Sequence, residues 1–234
     1  MFSYTYETRY GDFKDFESIK VGSILDIVQD VSTKEAAFCG FGIDKMNKLN
    51  MAWLMQGINV SFLKPVKTHI PIEAYTAVQR LKGAVSERCC ILKQEGETVV
   101  KTVANWFLVD TNKLKVCRIP AELHECYKCH DFNDAFFEYI RPEVLEFENY
   151  NYMVKVCNKD IDTNKHLNNQ KSADILMDAL PFDFRFNNMK VLYKKAAYLG
   201  DELYVCVKKL DSGYYVHLQN RDKEICVVGT FLNI

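Results

Sequence analysis

The sequence predicts an α+β protein in which one pattern, a helix followed by a meander of antiparallel strands, occurs twice. Three observations carry this. Long runs alternate apolar and polar residues with the two-residue period of half-buried strands. A helix-like segment precedes each set of runs. The strand patterns of the two halves then correspond in order, although few residues are identical.

Phe2 to Tyr10 alternates loosely and predicts a strand, turned by Gly11 and Asp12. The first helix is expected to start at Gly22 or Ser23. Leu25, Val28, Gln29, Ser32, Ala36 and Ala37 then recur at about the 3.6-residue period of a helix. Gly40 or Gly42 suits its C-terminal end. Four strands are predicted next, at Met51–Lys64, Ile72–Leu81, Ala84–Gln94 and Val99–Val109, with Gly96 in a hairpin turn between the last two. A charged and aromatic linker, Ile119 to Pro142, separates the halves. Tyr152–Val156 starts the second half, and Gln170–Leu180 is its helix, stopped by Pro181. Lys190–Lys195, Leu203–Leu210, Tyr214–Asn220 and Ile225–Ile234 complete its meander. The halves align at Val60–Lys64 with Val191–Lys195, and at Trp106–Asp110 with Gly229–Asn233. The predicted architecture is a double hotdog: two tandem antiparallel sheets, each wrapped around a central helix, with domains at 1–135 and 143–234.

Composition narrows the function classes. A net charge of −1 excludes a general nucleic-acid binder. No apolar run approaches the ~18 residues that a membrane helix needs, so no membrane partner is expected. The charged, aromatic N-terminus lacks the apolar core of a secretion signal, which predicts a cytoplasmic protein with reduced thiols. Cys126-Tyr127-Lys128-Cys129-His130 matches a haem-attachment pattern and, with His124, a zinc half-site. The first needs export and the second lacks paired spacing, so neither a metal nor a cofactor is expected.

The polar run Asp160-Ile161-Asp162-Thr163-Asn164-Lys165-His166-Leu167-Asn168-Asn169 carries the chemistry. It sits at the mouth of the second helix, where free N–H groups and the helix dipole favour negative charge. Asp and Asn are also ordinary helix caps, so a structural role is the simplest reading. A calcium loop fails, because Lys165 and Lys171 occupy its glycine and closing-carboxylate positions. The remaining reading is an acid/base site, in which a carboxylate and an imidazole activate water beside an oxyanion-holding helix start.

The spacing Asp-x-Asn-x-His-x-Asn-Asn followed by a helix resembles the catalytic segment of acyl-acyl-carrier-protein (acyl-ACP) thioesterases, which are tandem hotdogs of about this length. Tyr6–Asp12 and Trp53-Leu54 resemble the family's entry strand and central aromatic strand. The resemblance implies hydrolysis of a fatty acyl-ACP to free fatty acid and holo-ACP. The partner is then acyl carrier protein bearing a phosphopantetheine-linked acyl chain, with a homodimer left open. It places catalytic roles on Asp162, Asn164 and His166. It also implies that the first hotdog shapes the acyl pocket and the second does the chemistry. Asn168, Asn169 and the adjoining backbone N–H groups are candidates for the oxyanion site, and Leu25, Val28, Trp53 and Met55 for the acyl pocket. Lys64, Lys67, Arg185, Lys190, Lys194 and Lys195 are candidates for meeting an acidic carrier. The family's glutamate position falls on Ala196 here, and the adjoining cysteine of the plant enzymes falls on Ala197, which rules out a cysteine nucleophile there. Two alternatives follow: an acyl-CoA thioesterase of the same fold, and a non-catalytic acyl-binding hotdog, which Ala196 favours.

Overall fold

The computed structural model describes residues 1–15, 18–127, 138–147 and 149–234. Contacts divide the chain into two compact units, Met1–Lys20 with Asp26–Tyr139, and Val21–Leu25 with Ile140–Ile234.

In the first unit, β1 (Phe2–Tyr6) is shorter than predicted, because a 3₁₀ turn takes Tyr10–Asp12. The short strands β2 (Phe13–Asp15) and β3 (Ser18–Ile19) pair with each other. Helix α1 (Val21–Phe38) follows, then α2 (Ile43–Lys48), β4 (Met51–Phe62), β5 (Ile72–Lys82), β6 (Val85–Gln94), β7 (Glu97–Asp110), β8 (Lys115–Val116) and α3 (Ala121–Cys126). Within this unit the antiparallel order is β1-β5-β6-β7-β4, and β8 adds to β7. Glu95 and Gly96 both have positive φ, 52° and 80°, as a two-residue hairpin turn requires. Along α1, Ile24, Val28, Val31 and Glu35 form a buried stripe. Buried Glu35 is neutralised by an ion pair with Arg88 of β6, whose guanidinium also lies 5.2 Å from the Tyr127 ring. The Cys126–His130 run is described only as far as Tyr127; Cys129 and His130 lie outside the described residues, and among those described no cluster suits a metal ion. Among the described residues no helix is long and apolar enough to cross a membrane.

The second unit contains β9 (Tyr152–Lys155), α4 (Asn169–Asp178), β10 (Asn188–Tyr193), β11 (Glu202–Leu210), β12 (Gly213–Gln219) and β13 (Ile225–Leu232). Its antiparallel order is β10-β13-β12-β11-β9, and α4 packs on β12 and β13. Directly paired residues share a face. Val216, Gly229 and Val191 therefore line the α4 face, where Leu176 lies so close that a Cβ on Gly229 would stand 2.9 Å from it. Tyr215, His217 and Val228 line the other face, which is covered by Val144, Leu145 and Phe147. Tyr215 fastens this cover: its hydroxyl donates to the Leu145 carbonyl at 3.2 Å and accepts the Leu145 N–H at 3.0 Å.

Two predictions follow from this unit. At Gly213 a Cβ would lie 1.9 Å from the Phe231 carbonyl oxygen, in a backbone that cannot yield cheaply. Gly213→Ala should cost about 2 kcal/mol or more in urea unfolding, whereas Gly11→Ala, where nothing crowds the new methyl, should be near neutral. The second concerns acid. Burial, and then the charge of Lys194, lower the His217 pKa, against an opposing influence of Gln219. Its neutral form belongs to the fold, so that contribution is fully present above the ordinary value of about 6.5 and is lost as pH falls from there through the lowered pKa. Melting temperature should drop over that window, and His217→Phe should flatten the drop.

Candidate active site

The polar run is a tight hairpin set against a helix start. Ile161 and Leu167 form an antiparallel bridge. Between them the Asp162 N–H donates to the His166 carbonyl at 2.8 Å, and the Lys165 N–H donates to the Asp162 carbonyl at 3.0 Å. Lys165 takes a left-handed φ of 64°, the conformation that closes a three-residue hairpin loop. Asp162 Oδ1 accepts the backbone N–H groups of Asn164 at 2.8 Å and His166 at 3.1 Å. One carboxylate oxygen is thus spent on holding the loop; among the described residues no donor engages the other.

The loop is pinned from outside as well. The Leu167 N–H donates to the Ala197 carbonyl and the Asn168 N–H to the Asp160 carbonyl, both at 2.8 Å. Asn168 caps α4, its side chain accepting the Gln170 N–H at 2.8 Å. The N–H groups of Asn168 and Gln170 are therefore occupied. Those of Asn169 and Lys171 have no partner among the described residues, which makes them the donors open to an oxyanion. The Tyr193 hydroxyl donates to the Asn169 carbonyl at 3.2 Å and fixes this first turn to β10.

No hydrogen bond joins the side chains of Asp162 and His166 among the described residues. The imidazole instead packs edge-on to the Tyr198 ring at 5.1 Å. Both candidates are half-buried and Asn164 is exposed. Neither Tyr193 nor Tyr198 is a candidate in the sequence: Tyr193 figures only as the start of the family segment that ends at Ala196, and nothing marks Tyr198. Gly22, read from the sequence only as a possible helix start, also lies against this site: a Cβ there would stand 2.5 Å from Asp174 Oδ1 and 2.9 Å from Gln170 Cγ, so these side chains on the first turns of α4 would have to shift.

The other candidates are placed as follows. Leu25, Val28 and Met55 are core side chains, 3%, 1% and 7% exposed. Trp53 is half-buried and packs on the cluster of Phe41, Met46, Leu108 and Tyr127 in the first unit. Ala196 is exposed and Ala197 buried. Of the lysines, Lys64 pairs with Glu97, Lys67 with Glu95 and Lys195 with Glu224, which reduces their net pull on an acidic partner.

Residues 1–127 match the family model described as the acyl-ACP thioesterase N-terminal domain, and residues 143–229 match that of the C-terminal domain. The fold and the matches define a hotdog thioester hydrolase. The chain belongs to the acyl-ACP thioesterase family. Among solved structures it is similar to an acyl-ACP thioesterase from Bacteroides thetaiotaomicron, with TM-score 0.90, 16% identity, and 98% of this chain and 96% of that one covered. It is also similar to a 12:0-ACP thioesterase from Umbellularia californica, with TM-score 0.82, 14% identity, and coverage of 97% and 95%. These likenesses establish the double-hotdog fold. Among curated proteins no sequence matches the chain.

The cap yields a prediction that separates a side chain from its backbone. Asn168→Ala removes the acceptor of the Gln170 N–H and should cost about 1 kcal/mol in chemical denaturation. Asn168→Asp, which keeps an acceptor at the helix start, should restore most of it.

Proposed function

We propose that this thioesterase hydrolyses fatty acyl-ACP at the Asp162–His166 hairpin, releasing a free fatty acid and holo-ACP. The observation that supports this most is the hairpin itself. It holds a carboxylate with one uncommitted oxygen and an imidazole beside a helix start with open N–H donors, in a chain of this family. Water attacks the thioester carbonyl while Asp162 Oδ2 takes its proton, and His166 orients the water or carries the proton onward. Asn164 positions the water or the carbonyl. The Asn169 and Lys171 N–H groups receive the oxyanion, aided by the α4 dipole. The C–S bond then breaks. The leaving thiol has an ordinary pKa of about 8.5, so it departs with little assistance and takes up the proton removed from water.

In this reading the second domain, 143–234, carries the chemistry. The first, 1–135, shapes the acyl pocket, with Leu25, Val28, Trp53 and Met55 setting its walls. The protein works in the cytoplasm on acyl carrier protein rather than on a membrane-held substrate. One observation favours a rival, acyl binding without turnover: the family's glutamate position is Ala196.

The test is hydrolysis of acyl-ACP by the full chain and its variants. Asp162→Ala and His166→Ala should each lower kcat about 10²-fold or more while the protein stays folded. Ala196→Glu should leave turnover unchanged or raise it. Unchanged turnover in both alanine variants sinks the assignment, and absence of turnover in the parent chain selects the binding reading. Comparison with acyl-CoA as substrate settles the carrier.

A further inference from the structure

The second unit contains a cavity of about 710 Å³ on the sheet face opposite α4. Its floor is His217, 1% exposed, between the rings of Phe147 at 4.7 Å and Tyr215 at 5.7 Å. By distance and angle neither imidazole nitrogen has a hydrogen-bond partner among the described residues, although the Gln219 side chain is close enough to raise the ring's pKa. A buried polar ring left this way costs about 1–3 kcal/mol unless something supplies its bonds. It opens onto a charged rim. Lys194, Lys195, Lys223, Glu146 and Glu224 line it. Glu224 is committed to Lys195, and among the described residues no carboxylate pairs with Lys194. Phe147 and Ile225 add an apolar wall.

We propose that this cavity is a second binding site, for a small organic anion whose carboxylate or phosphate meets Lys194 and whose hydroxyl or amide meets His217. A neutral imidazole offers one donor and one acceptor, which a hydroxyl or amide satisfies together and a bare anion does not. Lys194 supplies a charge-assisted contact. The Phe147 ring and Ile225 exclude water from one side of the bound molecule.

The experiment uses the full chain carrying ¹³C-labelled histidine, with His217→Phe identifying the His217 ring signals. Four probes are titrated: 3-hydroxybutyrate and glycerol 3-phosphate as organic anions, with acetate and sulfate, which carry no O–H, as their bare counterparts. The expected result is a saturable shift of the His217 signals with one organic probe and not with its bare counterpart, the responding pair telling carboxylate from phosphate. Lys194→Ala should weaken that binding about tenfold or more. His217→Phe should abolish it by calorimetry while keeping the native circular dichroism spectrum. If that variant does not fold, His217→Gln, which keeps a donor and an acceptor, should retain measurable binding. Absence of any shift at His217, binding unaffected by Lys194→Ala, or equal shifts from the bare anions, which would mark an adventitious ion only, overturns the proposal.

Discussion

The start of α4 is the constraint on which the candidate site depends. A helix leaves its first N–H groups without intrahelical partners, and a protein must satisfy them or use them. Here Asn168 satisfies one with its side chain, and those of Asn169 and Lys171 have no partner among the described residues. The hairpin before it is held to the same place by Leu167 and Asn168 through two backbone hydrogen bonds. Asp162 is then fixed by the loop it closes. Catalysis by positioned groups requires that they not reorganise during the reaction, and in the proposed mechanism Asp162 meets that requirement because the loop already restrains it.

The two faces of the second sheet carry different chemistry for a simple geometric reason. Strand residues alternate, so Val216 and His217 must point to opposite sides. The α4 side is filled by aliphatic residues and supports the hairpin. The other side needs a cover, and the Val144–Phe147 segment supplies it through the paired hydrogen bonds of Tyr215. Where that cover stops, a buried imidazole and a lysine-rich rim remain.

Much of this was legible in the sequence. Two-residue alternation marked the strands, and the hairpin at Glu95-Gly96 announced itself through its glycine. The matching order of the halves gave the tandem architecture. The short helices α2 and α3 were missed, because six polar-rich residues carry no usable period and each buries a single side chain, Met46 and Leu123. Helix α1 begins at Val21, before the predicted start, with no side-chain cap. Gly22 in its first turn packs close to the Gln170 and Asp174 side chains of α4, a contact the sequence pattern does not reveal. The spacing of Asp162, Asn164 and His166 was visible, but their hairpin was not: it turns on a left-handed Lys165, a residue type with no preference for that conformation. The distribution of N–H donors at α4 was equally hidden, because it depends on which carbonyls the fold brings to Leu167 and Asn168.

The account stands or falls on whether the hairpin hydrolyses a thioester rather than merely receiving one. The most direct measurement is a single turnover of purified full-length protein with acyl-ACP in ¹⁸O-labelled water, followed by mass spectrometry of both products. The account predicts one labelled oxygen in each released fatty acid and one free phosphopantetheine thiol per acid formed. Acyl-ACP recovered intact from a stoichiometric complex would contradict it.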